Sequence, residues 1–158
     1  MSVAIRELDK ANPADQVLLV QLVDAYARDP MGGGEGLSAD AHARLGAAFA
    51  AHPSTFALIA EQDGEPLGIA LCVLGFSSFA AAPTVNLHDV AVLPAARGQG
   101  VGRQLMDAVA AAARERGACK VTLEVRPDNQ VGRGLYESLG YRLSALGGQA
   151  YLMMEKKL

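Results

Sequence analysis

One stretch constrains the fold more than any other: Val90-Ala91-Val92-Leu93-Pro94-Ala95-Ala96-Arg97-Gly98-Gln99-Gly100-Val101-Gly102-Arg103-Gln104-Leu105. Apolar residues alternate at its start (Val90, Val92), as they do along a strand. Pro94 has no N–H to give a ladder and so ends that strand. Gly98, Gly100 and Gly102 follow at every second position, and Val101, Leu105, Val109, Ala112 and Ala113 then recur at helical spacing. The pattern predicts a strand, a tight glycine turn, and a helix that begins inside the glycine run.

Such a turn suits an anion. A helix N-terminus leaves about four backbone N–H groups without partners, and the aligned peptide dipoles give them partial positive charge. Glycine admits unusual backbone angles and lets a phosphate approach without meeting a Cβ. Arg97 and Arg103 bracket the turn and can add charge-assisted hydrogen bonds. The expected ligand is a pyrophosphate. A dinucleotide fold asks for G-x-G-x-x-G in its first strand–helix turn, whereas here Gly98-x-Gly100-x-x-Arg103 ends in arginine and lies in the second half of the chain. No Walker A string is present either.

What fits is Arg-x-x-Gly-x-Gly, read as Arg97, Gly100 and Gly102 after a Val-x-Pro strand end. This string resembles the acetyl-CoA-binding motif of the GCN5-related N-acetyltransferases (GNAT). A second segment agrees: the strand Lys120-Val121-Thr122-Leu123-Glu124-Val125, then Asn129, then Leu135-Tyr136 and Gly140-Tyr141. It is similar to the family's second signature, with one departure. Arg133 stands where the family usually has a small residue. The resemblance is tight over about residues 84–143.

Composition excludes several other classes. With 158 residues and 51% hydrophobic content, one domain spanning residues 1–158 with a substantial core is expected. A net charge of −3 is the wrong sign for a nucleic-acid footprint, and no tryptophan supplies a stacking platform. Cys72 and Cys119 fall in predicted strand regions and read as buried small hydrophobes. No Cys/His pair has zinc-ligand spacing, so no metal is expected. The start Met1-Ser2-Val3-Ala4-Ile5-Arg6-Glu7 lacks the pattern of a signal peptide, and no apolar run is long enough for a membrane span. A cytoplasmic protein without membrane or nucleic-acid partners is the expectation.

In chain order, Val3 and Ile5 begin a first strand. Asp15 can cap a helix running to about Ala27. Asp29 to Leu37, with glycines at 32–34, reads as a loop, and Ser38 caps a second helix to Ala51. Strands over 56–60 and 67–73 join through an Asp63-Gly64 hairpin. Gly75 to Pro83 reads as a loop, followed by the strand from Thr84 to Val92 and a helix ending near Arg116 with Gly117 as its C-cap. Strands at 141–143 and about 150–155 close the chain. The fold class is α/β (α+β). The resemblance implies a mixed, mostly antiparallel central sheet of about seven strands, splayed between its two central strands, with about four helices on its faces.

Acyl transfer to an amine requires a fixed cofactor, a deprotonated amine, a polarised carbonyl and a protonated leaving thiolate. The resemblance implies acetyl-CoA as cosubstrate, held by Arg97, Gly98, Gln99, Gly100, Val101, Gly102 and Arg103 at its pyrophosphate. The backbone of Val90, Ala91 and Val92 would pair with the pantetheine arm, and Asn129 would bond it. Asn129 also suits a helix N-cap. Tyr136 has the place of the family's general acid, and a phenol with pKa near 10 holds its proton at neutral pH. His88 falls on a base-bearing position of the family, and its ordinary pKa of about 6.5 suits the task. Asp89 and Glu124 are the alternatives, expected on the opposite strand face or toward a neighbour; a base acting through water is another. The Asp29–Leu37 loop is either a connector or, by resemblance, a cover over the acceptor, and Glu35 and Asp29 could attract a cationic amine.

The leading reading is an N-acetyltransferase acting by direct attack of a primary amine, on a small molecule or a peptide, in a ternary complex. A non-catalytic acyl-CoA sensor is the alternative from another class. A nicotinamide-dinucleotide module fails on the third glycine and on topology. Homodimers are common among relatives, and the residues do not decide that point.

Overall fold

The computed structural model describes residues 2–158; Met1, the first residue of the start read above as leaderless, lies outside the described residues. The chain forms two compact units, one through Glu124 and one over Val125–Leu158.

The first unit holds β1 (Ala4–Glu7), α1 (Pro13–Arg28), α2 (Ala39–Ala51), β2 (Thr55–Gln62), β3 (Glu65–Ser77), β4 (Ala82–Val92), α3 (Val101–Glu115) and β5 (Val121–Leu123). Its sheet runs β1-β2-β3-β4-β5. Every pairing is antiparallel except β4–β5, which is parallel over Val85–Leu87 and Val121–Leu123. One face carries a core of Leu8, Leu19, Leu22, Val23, Phe49, Ala57, Ile59, Ile69 and Leu71, built by α1, α2 and the sheet. Val101, Leu105, Met106 and Val109 of α3 are almost fully buried. Each such side chain contributes roughly 1.5–3 kcal/mol on leaving water. Gly68 permits the close packing beneath α3: a Cβ there would stand 2.5 Å from the Ala91 carbonyl oxygen and 3.2 Å from Leu105 Cδ1.

The second unit holds α4 (Gln130–Ser138) and a short ribbon of β6 (Ala145–Leu146) and β7 (Gln149–Ala150). The mixed, mostly antiparallel sheet and the four α-helices agree with expectation, but the main sheet has five strands, not about seven. Gly147 and Gly148 take φ of +57° and +79°, the backbone of a tight two-residue hairpin. That hairpin pairs only Ala145 with Ala150 and Leu146 with Gln149. Residues 141–143 and 151–158 enter no strand.

Other differences have local causes. Asn12, not Asp15, caps α1: its side chain accepts from the Ala14 N–H at 2.9 Å, and Pro13 opens the helix. Asp15 is instead buried, taking two bonds from Arg6 (2.8 and 2.9 Å) and one from the Asp9 N–H (2.8 Å). The Arg6 guanidinium holds its carboxyl below the usual range. The expected 75–83 loop shrinks to 78–81, because the β3–β4 ladder continues to Ser77–Ala82. Cys72 is buried, and burial pushes its thiol up to about 12. Cys119 is exposed ahead of β5, contrary to the buried-hydrophobe reading.

Candidate active site

β4 delivers the glycine turn. After Val92, a 3-10 turn over Pro94–Ala96 leads through Arg97 into residues 98–100. Gly98 and Gly100 take φ of +74° and +80°, and a Cβ at either would meet nothing within 4 Å. Gly100 is the left-handed N-cap of α3, so no side chain caps this helix. Residues 97–100 are exposed. The backbone of residues 98–100 is therefore accessible, with two left-handed glycines just ahead of the α3 N-terminus, an arrangement that fits a pyrophosphate. Gln99 braces the turn by donating Nε2–H to the Ala95 carbonyl at 2.9 Å. Val101 is buried under the helix start, while the Arg103 side chain is exposed.

Arg97 is committed elsewhere. Its Nε donates to the Val92 carbonyl at 3.0 Å and its Nη2 to Asp29 Oδ2 at 2.6 Å. Asp29 also accepts from the Met31 N–H at 3.0 Å. That bond and the Arg97 guanidinium hold its carboxyl below the usual range. Beside this pair lies a cavity of about 310 Å³, walled by Ala25, Tyr26 and Pro30 on one side and Ala91, Leu93 and Pro94 on the other. The loop of Asp29 to Leu37 is thus anchored at its start by a 3-10 turn, Pro30–Gly32.

A bulge in β4 rearranges the base candidates. Leu71 pairs with Asp89 and Cys72 with Leu87, so His88 is the extra residue. Past it the alternation shifts by one. Asn86 lies opposite Val73, Asp89 opposite Leu71 and Ala91 opposite Ile69, all on the face of α1 and α2. Asp89 shares its face with the cavity-lining Ala91 two residues on, the bulge brings Asn86 onto that face as well, and His88 is exposed at the bulge. Burial raises the Asp89 pKa, His88 offsets part of that rise, and Glu124 adds to it. Glu124 is held by Asn86, whose Nδ2 donates to its carboxylate at 3.1 Å and to Thr122 Oγ1 at 3.2 Å. The β4–β5 ladder ends at Leu87–Leu123, so Val90–Val92 lie beyond it. All of these groups belong to the first unit.

In the second unit, Asn129 caps α4, its Oδ1 accepting from the Gly132 N–H at 3.0 Å. Tyr136 is half-buried on α4, its ring 6.1 Å from that of Tyr141. The departure at Arg133 leaves the helix start intact: the side chain is exposed, donating to the Pro127 carbonyl at 3.3 Å and lying 3.8 Å from Glu137.

Sequence reasoning missed three features: the Arg97–Asp29 pair, the Asn86–Glu124 contact and the face that Asn86 and Asp89 share. The first two join residues 68 and 38 positions apart, and the third depends on a bulge that alternation alone does not reveal. Among the described residues, no group of three or more His, Cys, Asp or Glu could hold a metal ion, and no helix is long and apolar enough to cross a membrane.

The model of the acetyltransferase (GNAT) family matches residues 19–141. The chain is 38% identical over 101 residues to an uncharacterized N-acetyltransferase, YhfO, of Bacillus subtilis (strain 168), covering 64% of this chain and 67% of that one. It is 32% identical over 148 residues to streptothricin acetyltransferase of Streptomyces lavendulae, covering 94% of this chain and 67% of that one. Among solved structures it resembles AAC(6')-Iy in complex with the bisubstrate analog CoA-S-monomethyl-acetylneamine. That likeness has a TM-score of 0.74 at 22% identity and covers 100% of this chain and 99% of the other.

Proposed function

The chain belongs to the acetyltransferase (GNAT) family, and from that premise we propose that it transfers an acetyl group from acetyl-CoA to a primary amine by direct attack in a ternary complex. The observation that carries this reading is the exposed turn of two left-handed glycines that leads into α3, a helix start with no side-chain cap. Acetyl-CoA, when bound, supplies an activated acyl thioester. The amides of residues 98–103 hold its pyrophosphate, and the backbone of Val90–Val92 pairs with the pantetheine arm as an added strand would. An N–H of that strand polarises the thioester carbonyl. Asn129, besides capping α4, is the residue assigned to the arm by its place in the second motif.

The proton steps fall to one base on β4 and to Tyr136. The attacking amine gives its proton to a group on β4, either His88, exposed on the bulge, or Asp89, which lies on the cavity face with a raised pKa. The Tyr136 hydroxyl carries the proton that the leaving thiolate takes up. Residues 1–158 act as one acyltransferase domain, a reading supported by a family match that runs through both units. The acceptor is a small-molecule or peptide amine and the setting is cytoplasmic. The similarity to streptothricin acetyltransferase favours the small molecule.

The test begins with thermal shift against acetyl-CoA, CoA and NADPH. A ligand at 100 times its dissociation constant adds about 2.7 kcal/mol, or roughly 5–11 °C for a chain of this size. Acetyl-CoA should shift the protein and NADPH should not. A Tyr136→Phe variant should keep that shift and lose about 10²–10⁴-fold in turnover with an amine panel. No shift with any CoA species would overturn the reading.

A further inference from the structure

Arg97 is built into the scaffold rather than left to reach for a ligand. Its Nε is bound to the Val92 carbonyl and its Nη2 to Asp29, 2.6 Å away. The Asp29 side chain is only 18% exposed. Asp29 ends α1 and begins the following 3-10 turn. Its N–H donates to the Tyr26 carbonyl at 3.0 Å, its carbonyl accepts from the Gly32 N–H at 2.8 Å, and its carboxylate takes the Met31 N–H. Gly32 closes this turn so tightly that a Cβ would lie about 2.0 Å from the Tyr26 carbonyl oxygen. The segment from Tyr26 to Gly32 is therefore fixed to the end of α1, and the Arg97–Asp29 pair ties it to the glycine turn. The two sides joined in this way are the two walls of the 310 Å³ cavity.

We propose that Asp29 is a positioning residue for the phosphate turn: through Arg97 it couples the glycine turn to the cavity wall at the end of α1, so that ligand at the turn stiffens the wall. This rests on the reading of the turn as the CoA-phosphate site. The opposing view, that Arg97 is a mobile cation for the phosphates and Asp29 merely its competitor, predicts the reverse sign. If Asp29 competes, removing its charge tightens CoA binding. If Asp29 positions, the same change weakens binding, although the turn becomes more positive.

The test uses Asp29→Asn, which keeps a side-chain acceptor for the Met31 N–H and so preserves the cap, with Arg97→Lys as the second variant, which keeps the charge and loses the forked geometry. CoA affinity is measured by calorimetry, and hydrogen exchange is followed at residues 30–34 and 98–103 with and without CoA. In the wild-type protein CoA should slow exchange in both segments. Each variant should bind CoA about five- to tenfold more weakly, keeping the slowing at 98–103 and losing it at 30–34. A general loss of stability would not produce that split. Wild-type or tighter CoA binding by Asp29→Asn overturns the coupling, as does a wild-type 30–34 segment that ignores CoA. Absence of CoA binding by the wild-type protein overturns the assignment of the turn itself, and the coupling with it.

Discussion

Gly100 and Gly117 form a matched pair at opposite ends of α3. Both lie in the left-handed region, at φ of +80° and +71°, and at both a Cβ would meet no protein atom within 4 Å. Gly117 ends the helix in the usual way: its N–H donates to Arg114 at 3.0 Å, and the Ala118 N–H donates to Ala113 at 3.0 Å. Alanine at either position pays the left-handed penalty of about 1–2 kcal/mol. For a 158-residue chain that is a drop in Tm of about 2–8 °C. The stability cost should therefore be the same for Gly100→Ala and Gly117→Ala. Their CoA affinities should differ. At Gly100 the methyl projects into the space assigned to phosphate, and displacing one charge-assisted N–H bond costs about 1.5–3 kcal/mol, or roughly ten- to hundredfold in Kd. At Gly117 it projects into solvent at the far end of the helix. Thermal denaturation followed by calorimetric titration with CoA checks both halves. Equal CoA affinity for the two variants, after equal losses in Tm, would refute the placement of the phosphates at the turn.

Two further outcomes are expected. Gly68→Ala should lose about 1–3 kcal/mol by denaturant titration, because its Cβ meets backbone rather than a yielding side chain; a variant as stable as wild type would mean that β3, β4 and α3 can part at little cost. Asp89→Asn should raise Tm at pH 7 and leave it near wild type at pH 4. The Asp89 pKa is raised by burial, so the folded state binds the proton more tightly than the unfolded chain, and stability falls as pH rises from the unfolded value through the folded one. A gain of equal size at both pH values would show that the substitution acts through packing instead.

The legible parts of this chain were those written in short-range pattern. Alternation followed by helical spacing marked β4, the turn and α3, and Asp63-Gly64 marked the β2–β3 hairpin that the structure shows at φ of +53° and +82°. Ser38 was readable as a cap because its oxygen meets an N–H three residues on. Asp15 was misread as a cap because the same residue type serves both a helix start and a buried ion pair. Its partner Arg6 lies on β1, where helix-start rules say nothing. The strands expected at 141–143 and about 150–155 need a neighbour to pair with, and residue type along one segment does not say whether one exists. In the site the same division holds. The glycine turn is local and legible, whereas Asp29 gains its partner from an arginine 68 positions away and Asn86 joins the face of Asp89 through a bulge.

The topology of the main sheet also orders its assembly. β2, β3 and β4 are joined by a hairpin at Asp63-Gly64 and another at 78–81, so this meander closes only short loops. The edge strands are costlier: β1 must span two helices to find β2, and β5 pairs with β4 across 36 residues that include α3. Loop-closure entropy is paid before such distant contacts return anything. The meander should therefore form first and both edges dock on it, with the strand that feeds the glycine turn belonging to that template. The carboxamide of Asn86, bonded to Thr122 and Glu124, marks the seam where the late strand is stitched to the early one.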